Sequence, residues 1–315
     1  MKLLYRSLVK PANLLQQSFV GNGNLYKILL AGPLSGARWK VGEWRAWENF
    51  KRTYDKVPAY RKFIDERGGM PELRCIGDVP DLSVIPETDK ASYVKKYSQA
   101  ERCVGGKIPT HGVVVDESSG SSGNPTSWLR GPEERWTTKQ MLQLSYKYAL
   151  GDQPLFVINA FALGAWATGL SVTHSLTDIC VMKSTGPNIK KIIDTMKEFG
   201  TGHTYVVMGY PPFLKTLADS KEMDWKKYSV LAVFGGEAMS EPARRYLMKS
   251  FKDVLGSYGA SDLEINMAAE NAFTVALRQE LERNQALREK LIVTKHGVLP
   301  MVFQYNPLVY NFQSN

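Results

Sequence analysis

Three observations predict an α/β fold for this chain. Short runs that are apolar throughout recur from residue 154 onward: Leu155-Phe156-Val157-Ile158, Ile179-Cys180-Val181-Met182, His203 to Met208, and Val230-Leu231-Ala232-Val233-Phe234. Stretches of helical spacing separate them, and glycine-rich turns follow several of them. A strand without polar alternation is buried on both faces, which implies a parallel sheet with helices on either side.

Residues 1–40 mix apolar and basic residues with Gly21, Gly23, Gly32 and Gly36, and read as an irregular lead-in. From Glu43 to Glu66, Trp44, Trp47, Phe50, Tyr54, Val57, Tyr60 and Phe63 recur at helical spacing. Pro58 would break one continuous helix, so two helices meeting at Val57-Pro58 are expected. Pro80, Pro86 and Glu87-Thr88-Asp89 mark turns and a capped helix start near Thr88. Val113-Val114-Val115 reads as a strand. Asn188 to Phe199 carries Ile189, Ile192, Ile193 and Met196 on one stripe and ends at Gly200, a helix with a glycine stop. A further helix opens near Pro212, and another near Ser240, with Glu241 and Pro242 in its first turn. Leu277 to Leu291 is strongly charged and reads as a single solvated surface helix. A lead-in with helices over 1–110 and an α/β domain over 111–315 are the expected domains, consistent with about two domains for this length.

The chain has 315 residues, 43% hydrophobic and 23% charged, enough for a sizeable core. Its net charge of +9 suits phosphate-bearing ligands. Bases and acids are interleaved, as in Lys51, Arg52, Asp55, Lys56, Arg61, Lys62, Asp65, Glu66 and Arg67, with no block of like charge, so nucleic acid is not expected as a partner. Cys75, Cys103 and Cys180 are dispersed and odd in number, which excludes a disulfide framework and favours a reducing compartment; the cytoplasm is the expected location. His111, His174, His203 and His296 form no metal-ligand spacing. Lys2, Arg6 and Lys10 precede apolar runs too short to span a bilayer, and membrane contact is not expected.

The most informative stretch is Asp116-Glu117-Ser118-Ser119-Gly120-Ser121-Ser122-Gly123-Asn124-Pro125-Thr126, with four hydroxyls and two glycines in six residues. Glycine lets backbone N–H groups turn inward and serine adds rotatable donors, a combination that grips phosphate oxygens. No Gly-Lys-Ser/Thr follows, so it is not a Walker loop. On these residues alone a flexible Ser/Gly linker is an equal reading. In an open parallel sheet, ligands bind at the carboxyl ends of the strands. Gly209-Tyr210-Pro211, Gly235-Gly236-Glu237 and Ser257-Tyr258-Gly259-Ala260-Ser261-Asp262 all fall at such ends. Tyr258 could stack on a purine, Ser261 could touch phosphate and Asp262 could hold magnesium, although each is also an ordinary turn residue.

The ordered set SSGSSGNPT, VFGGEAMSE and SYGASDLE resembles the adenylate-forming superfamily of acyl-CoA synthetases, in its phenylacetate-CoA ligase-like and capsule-biosynthesis-type branch. Lys56-Val57-Pro58-Ala59-Tyr60-Arg61 and Ile85-Pro86-Glu87-Thr88-Asp89-Lys90 resemble the same branch, as does Thr126, where most of the superfamily has lysine. The resemblance covers roughly residues 45–270 and implies the large N-terminal domain of such an enzyme. It further implies activation of an aryl or acyl carboxylate by Mg·ATP to an acyl-adenylate, then thioester formation with coenzyme A or another thiol. Ser118, Ser119, Gly120, Ser121, Ser122, Gly123 and Thr126 would hold the β- and γ-phosphates. Gly235, Gly236 and Glu237 would border adenine and the acyl pocket. Ser257, Tyr258 and Gly259 would lie at adenine, with Ser261 by the α-phosphate. Asp262 would bind Mg2+ where the family has glutamate. Phe161 and Tyr210 would wall the carboxylate pocket. The family's ribose-binding aspartate motif and its lysine-bearing C-terminal domain have no counterpart before Asn315, so an incomplete enzyme is expected. A nucleotide- or acyl-adenylate-binding module without full catalysis is the alternative reading, and a membrane-surface accessory protein a more distant one. A homodimer is compatible with the sequence, which does not decide the oligomeric state.

Overall fold

A computed structural model of the chain describes residues 2–12, 14, 24, 27, 32–118, 125–292 and 299–313. It divides into two compact units, Met1–Gly112 with Asn306–Asn315, and Val113–Tyr305. Asn306–Asn315 thus falls with the first unit rather than in the 111–315 domain expected for it. Within the first unit Arg45 donates to the Leu308 carbonyl, and Gly42 backs so closely onto Pro307 that a Cβ there would lie 2.0 Å from its carbonyl oxygen.

The first unit contains α1 (Lys2–Ser7), α2 (Ser35–Lys56), α3 (Pro58–Asp65) and the two-residue strands β1 (Cys75–Ile76) and β2 (Val79–Pro80). The expected break is present: Val57 is extended between α2 and α3, and Pro58 opens α3, where its missing N–H is harmless. The α2 stripe Val41, Trp44, Trp47 and Phe50 is buried against Phe63 and Ile64 of α3. Residues 1–40 are more regular than expected, since α1 and the start of α2 lie among them; Arg6 of α1 donates to Glu48 of α2 at 2.8 Å. The turn expected near Thr88 is capped one residue later, by the Asp89 carboxylate, which accepts from Ala91 and Ser92 N–H.

The second unit opens with an antiparallel hairpin, β3 (Val114–Ser118) and β4 (Thr126–Arg130), in register from Val114↔Arg130 to Ser118↔Thr126. After α4 (Pro132–Leu150) come β5 (Leu155–Asn159), α5 (Ala167–Leu176), β6 (Val181–Ser184), α6 (Ile189–Phe199), β7 (Thr204–Gly209), α7 (Pro211–Ala218), β8 (Ser229–Phe234), α8 (Glu241–Leu247) and β9 (Asp253–Tyr258). The short β10 (Ala268–Ala269), the helices α9 (Ala272–Arg283) and α10 (Gln285–Leu291), and β11 (Gln304–Tyr305) complete it. One seven-stranded sheet has the order β11-β10-β9-β8-β7-β5-β6. The strands from β6 to β9 are parallel, while β10 and β11 are antiparallel at one edge. Alternate strand residues face opposite layers. Phe156, Ile158, Tyr205, Val207, Val230 and Ala232 pack with α6 and α7, whereas Leu155, Val157, Val206, Met208 and Leu231 pack with α4 and α5. That two-sided burial is why these strands read as apolar throughout.

Two further expectations need correction. The charged run Leu277 to Leu291 is two helices, because Asn284 ends α9 and its side chain accepts from Leu287 N–H to cap α10. Nor is it wholly solvated: Arg278 and Leu281 are buried. The strand expected at Ile179–Met182 begins two residues later, at Val181. No helix among the described residues is long and apolar enough to cross a membrane.

Candidate functional site

The connection from β5 goes to β6 on one side, and the chain then returns to lay β7 on the other side of β5. The connections that leave the carboxyl ends of β5 and β7 therefore run to opposite faces of the sheet, and a crevice opens beyond those ends, as doubly wound sheets require. It is a cleft of about 480 Å³, within the range of roughly 300–1,000 Å³ that suits small ligands. Its lining brings together nine residues expected from sequence: Phe161, Tyr210, Gly235, Gly236, Glu237, Ser257, Gly259, Ser261 and Asp262. Ser118 and Thr126 do not line it; they form the last pair of the hairpin, and the neighbouring Glu117 does line it. Glu117 N–H donates to the Ala165 carbonyl at 2.9 Å, which ties the hairpin to the cleft wall. Ser119, Gly120, Ser121, Ser122 and Gly123 lie outside the described residues. Tyr258 stands beside the cleft with its ring against Phe303, centroids 5.7 Å apart.

Each wall has an identifiable cause. Asn159, fully buried at the end of β5, donates to the Gly169 carbonyl at 2.7 Å and accepts from Phe161 N–H at 3.1 Å. This turns the chain so that Phe161 meets Tyr210 edge to face, centroids 5.3 Å apart. Burial, and then the Glu237 carboxylate, push the Tyr210 hydroxyl up from its ordinary pKa, so it stays a donor at neutral pH. Gly236 has φ +82°, and a Cβ there would lie 2.3 Å from the Tyr210 ring. Gly236→Ala should therefore displace the Tyr210 ring from Phe161 and destabilise the second unit by about 1–3 kcal/mol, the usual cost of overpacking. Urea denaturation of the variant checks this; a parent-like midpoint would show that the Tyr210 ring gives way without cost. Gly259 is close-packed in the same sense, since a Cβ would meet Asn266 N at 2.8 Å.

Three residues missed by sequence reasoning matter here. Asn159 is the first. Arg130, at the end of β4, is the second: its guanidinium reaches Asp116 at 3.1 Å, Glu134 at 2.8 Å, the Leu263 carbonyl at 2.9 Å and the Ser261 carbonyl. It thereby fastens the turn that carries Asp262 to the stem of the Ser/Gly loop. Burial pulls its pKa down, but Glu134 and Asp116 outweigh that and hold it above the ordinary value. Asn266 is the third, the one non-glycine described residue with positive φ, at 56°. Only an arginine's fork or an asparagine's tolerance of left-handed backbone hints at such roles in a sequence.

For nucleotide and metal the donor set divides. The glycine cradle at Gly235-Gly236 and Gly259, at strand ends in a cleft of this size, fits a flat base and its sugar. Among the described residues no group of three His, Cys, Asp or Glu side chains could hold a metal ion. Asp262 would hold magnesium in company with other oxygens, such as a ligand's phosphates and water.

No family model matches the chain. In sequence it is 24% identical over 245 residues to a phenylacetate-coenzyme A ligase of Aromatoleum evansii, covering 75% of this chain and 51% of that one. In structure it is similar to an open conformation of 2-hydroxyisobutyryl-CoA ligase in complex with 2-HIB-AMP and CoA. The TM-score is 0.59 and the identity 14%, over 75% of this chain and 57% of the other. The same ligase in its thioesterification state gives 0.59 over 52% of its length. The chain spans about half the length of the curated relative it matches. The likeness read from three motifs thus extends, in sequence, to phenylacetate-CoA ligase and, in fold, to adenylate-forming CoA ligases.

Proposed function

We propose that the cleft of the second unit binds ATP and a carboxylic acid and forms an acyl-adenylate, whose acyl group then passes to the thiol of coenzyme A. The observation that carries this reading is the meeting, at one switch-point crevice, of the two turns Gly235-Gly236-Glu237 and Ser257–Asp262 with the hairpin whose strands flank the Ser/Gly loop. In the first step a carboxylate oxygen bonds to the α-phosphorus while the bond to the bridging oxygen of the β-phosphate breaks, and pyrophosphate leaves. In the second, the thiolate bonds to the acyl carbon and AMP leaves. Phe161 and Tyr210 would orient the acid. Gly235, Gly236 and Gly259 would let the nucleoside approach the backbone, with Tyr258 at its edge. Ser118 and Thr126 would present the loop's donors to the β- and γ-phosphates, where charge develops. Asp262 would hold Mg2+, which when bound offsets phosphate charge.

Pyrophosphate release by the full chain with a panel of aryl and short acyl acids tests the first step, with Mg·ATP and AMP affinities measured in parallel. Asp262→Ala should weaken Mg·ATP by about tenfold or more, the loss of one hydrogen bond or contact to a charged group. It should leave metal-free AMP unchanged. Equal losses for both ligands would remove the metal role from Asp262. Nucleotide binding with no pyrophosphate from any acid would favour a binding module instead.

A further inference from the structure

Residues 1–42 contain Lys2, Arg6, Lys10, Lys27, Arg38 and Lys40 and no aspartate or glutamate; the first acid is Glu43. Of the chain's net charge of +9, these six cations leave only +3 for all the residues that follow. Two of the six are engaged inside the first unit. Arg6 donates to Glu48 at 2.8 Å and Lys40 to Asp78 at 3.1 Å. The same two cations lie over the rings of Trp44 and Tyr5, at 5.7 and 4.8 Å from the centroids, and so clamp α1 onto α2. Lys10 and Lys27 are exposed.

The helical bonds of α1 continue past Ser7, from Leu8 N–H to the Leu4 carbonyl at 3.2 Å and from Ala12 N–H to the Leu8 carbonyl at 2.9 Å. Residues three and four apart on such a turn share a face. Tyr5, Val9 and Ala12 make the stripe that packs into the core of the first unit. Leu4 and Leu8 form a second apolar stripe beside it, 54% and 38% exposed, with Pro11 in line and exposed as well. Single exposed leucines are ordinary on a protein surface; an apolar stripe within an acid-free basic segment is not. Charge narrows what can cover it. A second copy docking the same patch against itself would bring cations onto cations. A nucleic acid would take the lysines and leave the leucines in water. An anionic lipid surface takes both, because apolar side chains enter the boundary of headgroups and acyl chains while cations meet the lipid phosphates.

We infer that α1 and the turn after it are a docking surface for an anionic lipid bilayer, with Leu4 and Leu8 entering the headgroup layer and Lys10 pairing with lipid phosphate. The contact is with the surface only, since among the described residues no helix is long and apolar enough to span. The sequence expectation of no membrane contact drew on the length of apolar runs, which bears on spanning and not on lying at the interface. Because α1 is already seated on α2, the stripe is presented with little ordering cost.

The test is co-sedimentation of the full chain with vesicles of phosphatidylcholine alone and of phosphatidylcholine with about one-third phosphatidylglycerol. The anionic vesicles should bind about tenfold or more strongly at about 0.05 M salt, and the preference should collapse at about 0.5 M. Lys10→Gln removes one exposed cation and should weaken anionic-vesicle binding by about fivefold. Leu4→Gln together with Leu8→Gln keeps the charge and the helix propensity, and should weaken it by about tenfold or more. Both variants should melt close to the parent, as surface changes do. Equal binding to the two vesicle types, or binding to neither, overturns the inference. So does anionic-vesicle binding that survives the leucine exchange, which would leave a purely ionic contact open to any polyanion. A melting temperature lowered by the leucine exchange would show the chain itself covering the stripe. A parent dimer that the exchange splits would show a second copy there, and either result also overturns the inference.

Discussion

Arg244→Met should destabilise the second unit by about 3–5 kcal/mol, the cost of leaving a buried carboxylate without its counter-charge. Arg244 is 0% exposed and Glu270 1% exposed. The guanidinium of Arg244 donates to both oxygens of Glu270, at 2.6 and 2.8 Å, and to the Val254 carbonyl. Glu270 also accepts from Gly256 N–H at 2.6 Å, so one pair joins α8, β9 and the end of β10. Glu241 extends the network, accepting from Arg244 at 3.2 Å and from Arg278 of α9. Methionine fills much of the arginine's volume but leaves the Glu270 carboxyl, which burial already pushes above its ordinary pKa, without its partner in an apolar layer. At about 2–4 °C per kcal/mol for a unit of this size, the melting temperature should fall by roughly 6–20 °C. Adding Glu270→Leu should recover most of the loss, since replacing both partners removes the unpaired charge. Urea denaturation of the parent, single and double variants decides it; a single variant within about 1 kcal/mol of the parent would mean the pair is solvated and not part of the core.

The sheet was legible because its strands are buried on both faces, which leaves no polar residues to blur Leu155–Ile158 or Val230–Phe234. Helix ends were legible where short side chains cap them, at Asn188 and Ser240, and where Gly200 stops α6. The glycines of the site could be read because close approach and positive φ exclude other residues at Gly236. What stayed hidden has a common cause. Arg130, Asn159 and Asn266 act through partners that only the folded chain brings within reach, such as Leu263 for Arg130 or the Ser257 hydroxyl for Asn266. Nothing in local periodicity marks a partner 133 residues away. The break at Asn284 escaped for a different reason, because charge spacing suits one helix or two and only the asparagine cap selects two. The two-residue strands β10 and β11 are too short to show any alternation.

Arg130→Met should show a stability loss and a binding loss that can be separated. Asp116, 2% exposed, loses its counter-charge in this variant, so the second unit should lose about 3–5 kcal/mol. Asp116→Leu in the same chain removes that unpaired carboxylate and should recover most of the stability. On the function proposed above, nucleotide affinity should not return with it. The carbonyls of Ser261 and Leu263, which flank Asp262, still lack the fork that fixes them to β4. Mg·ATP should therefore bind about tenfold or more weakly in the refolded double variant, because a carboxylate misplaced by about 1 Å loses much of its contact with the bound ion. Metal-free AMP should change less, since it does not call on Asp262. Lys139→Ala is the control: its pair with Asp178 is exposed at both ends, at 35% and 57% of the side chains, and such pairs contribute about 0–1 kcal/mol. Parent-like Mg·ATP affinity in the double variant would show that Arg130 only balances Asp116 and that the Asp262 turn holds its place without it.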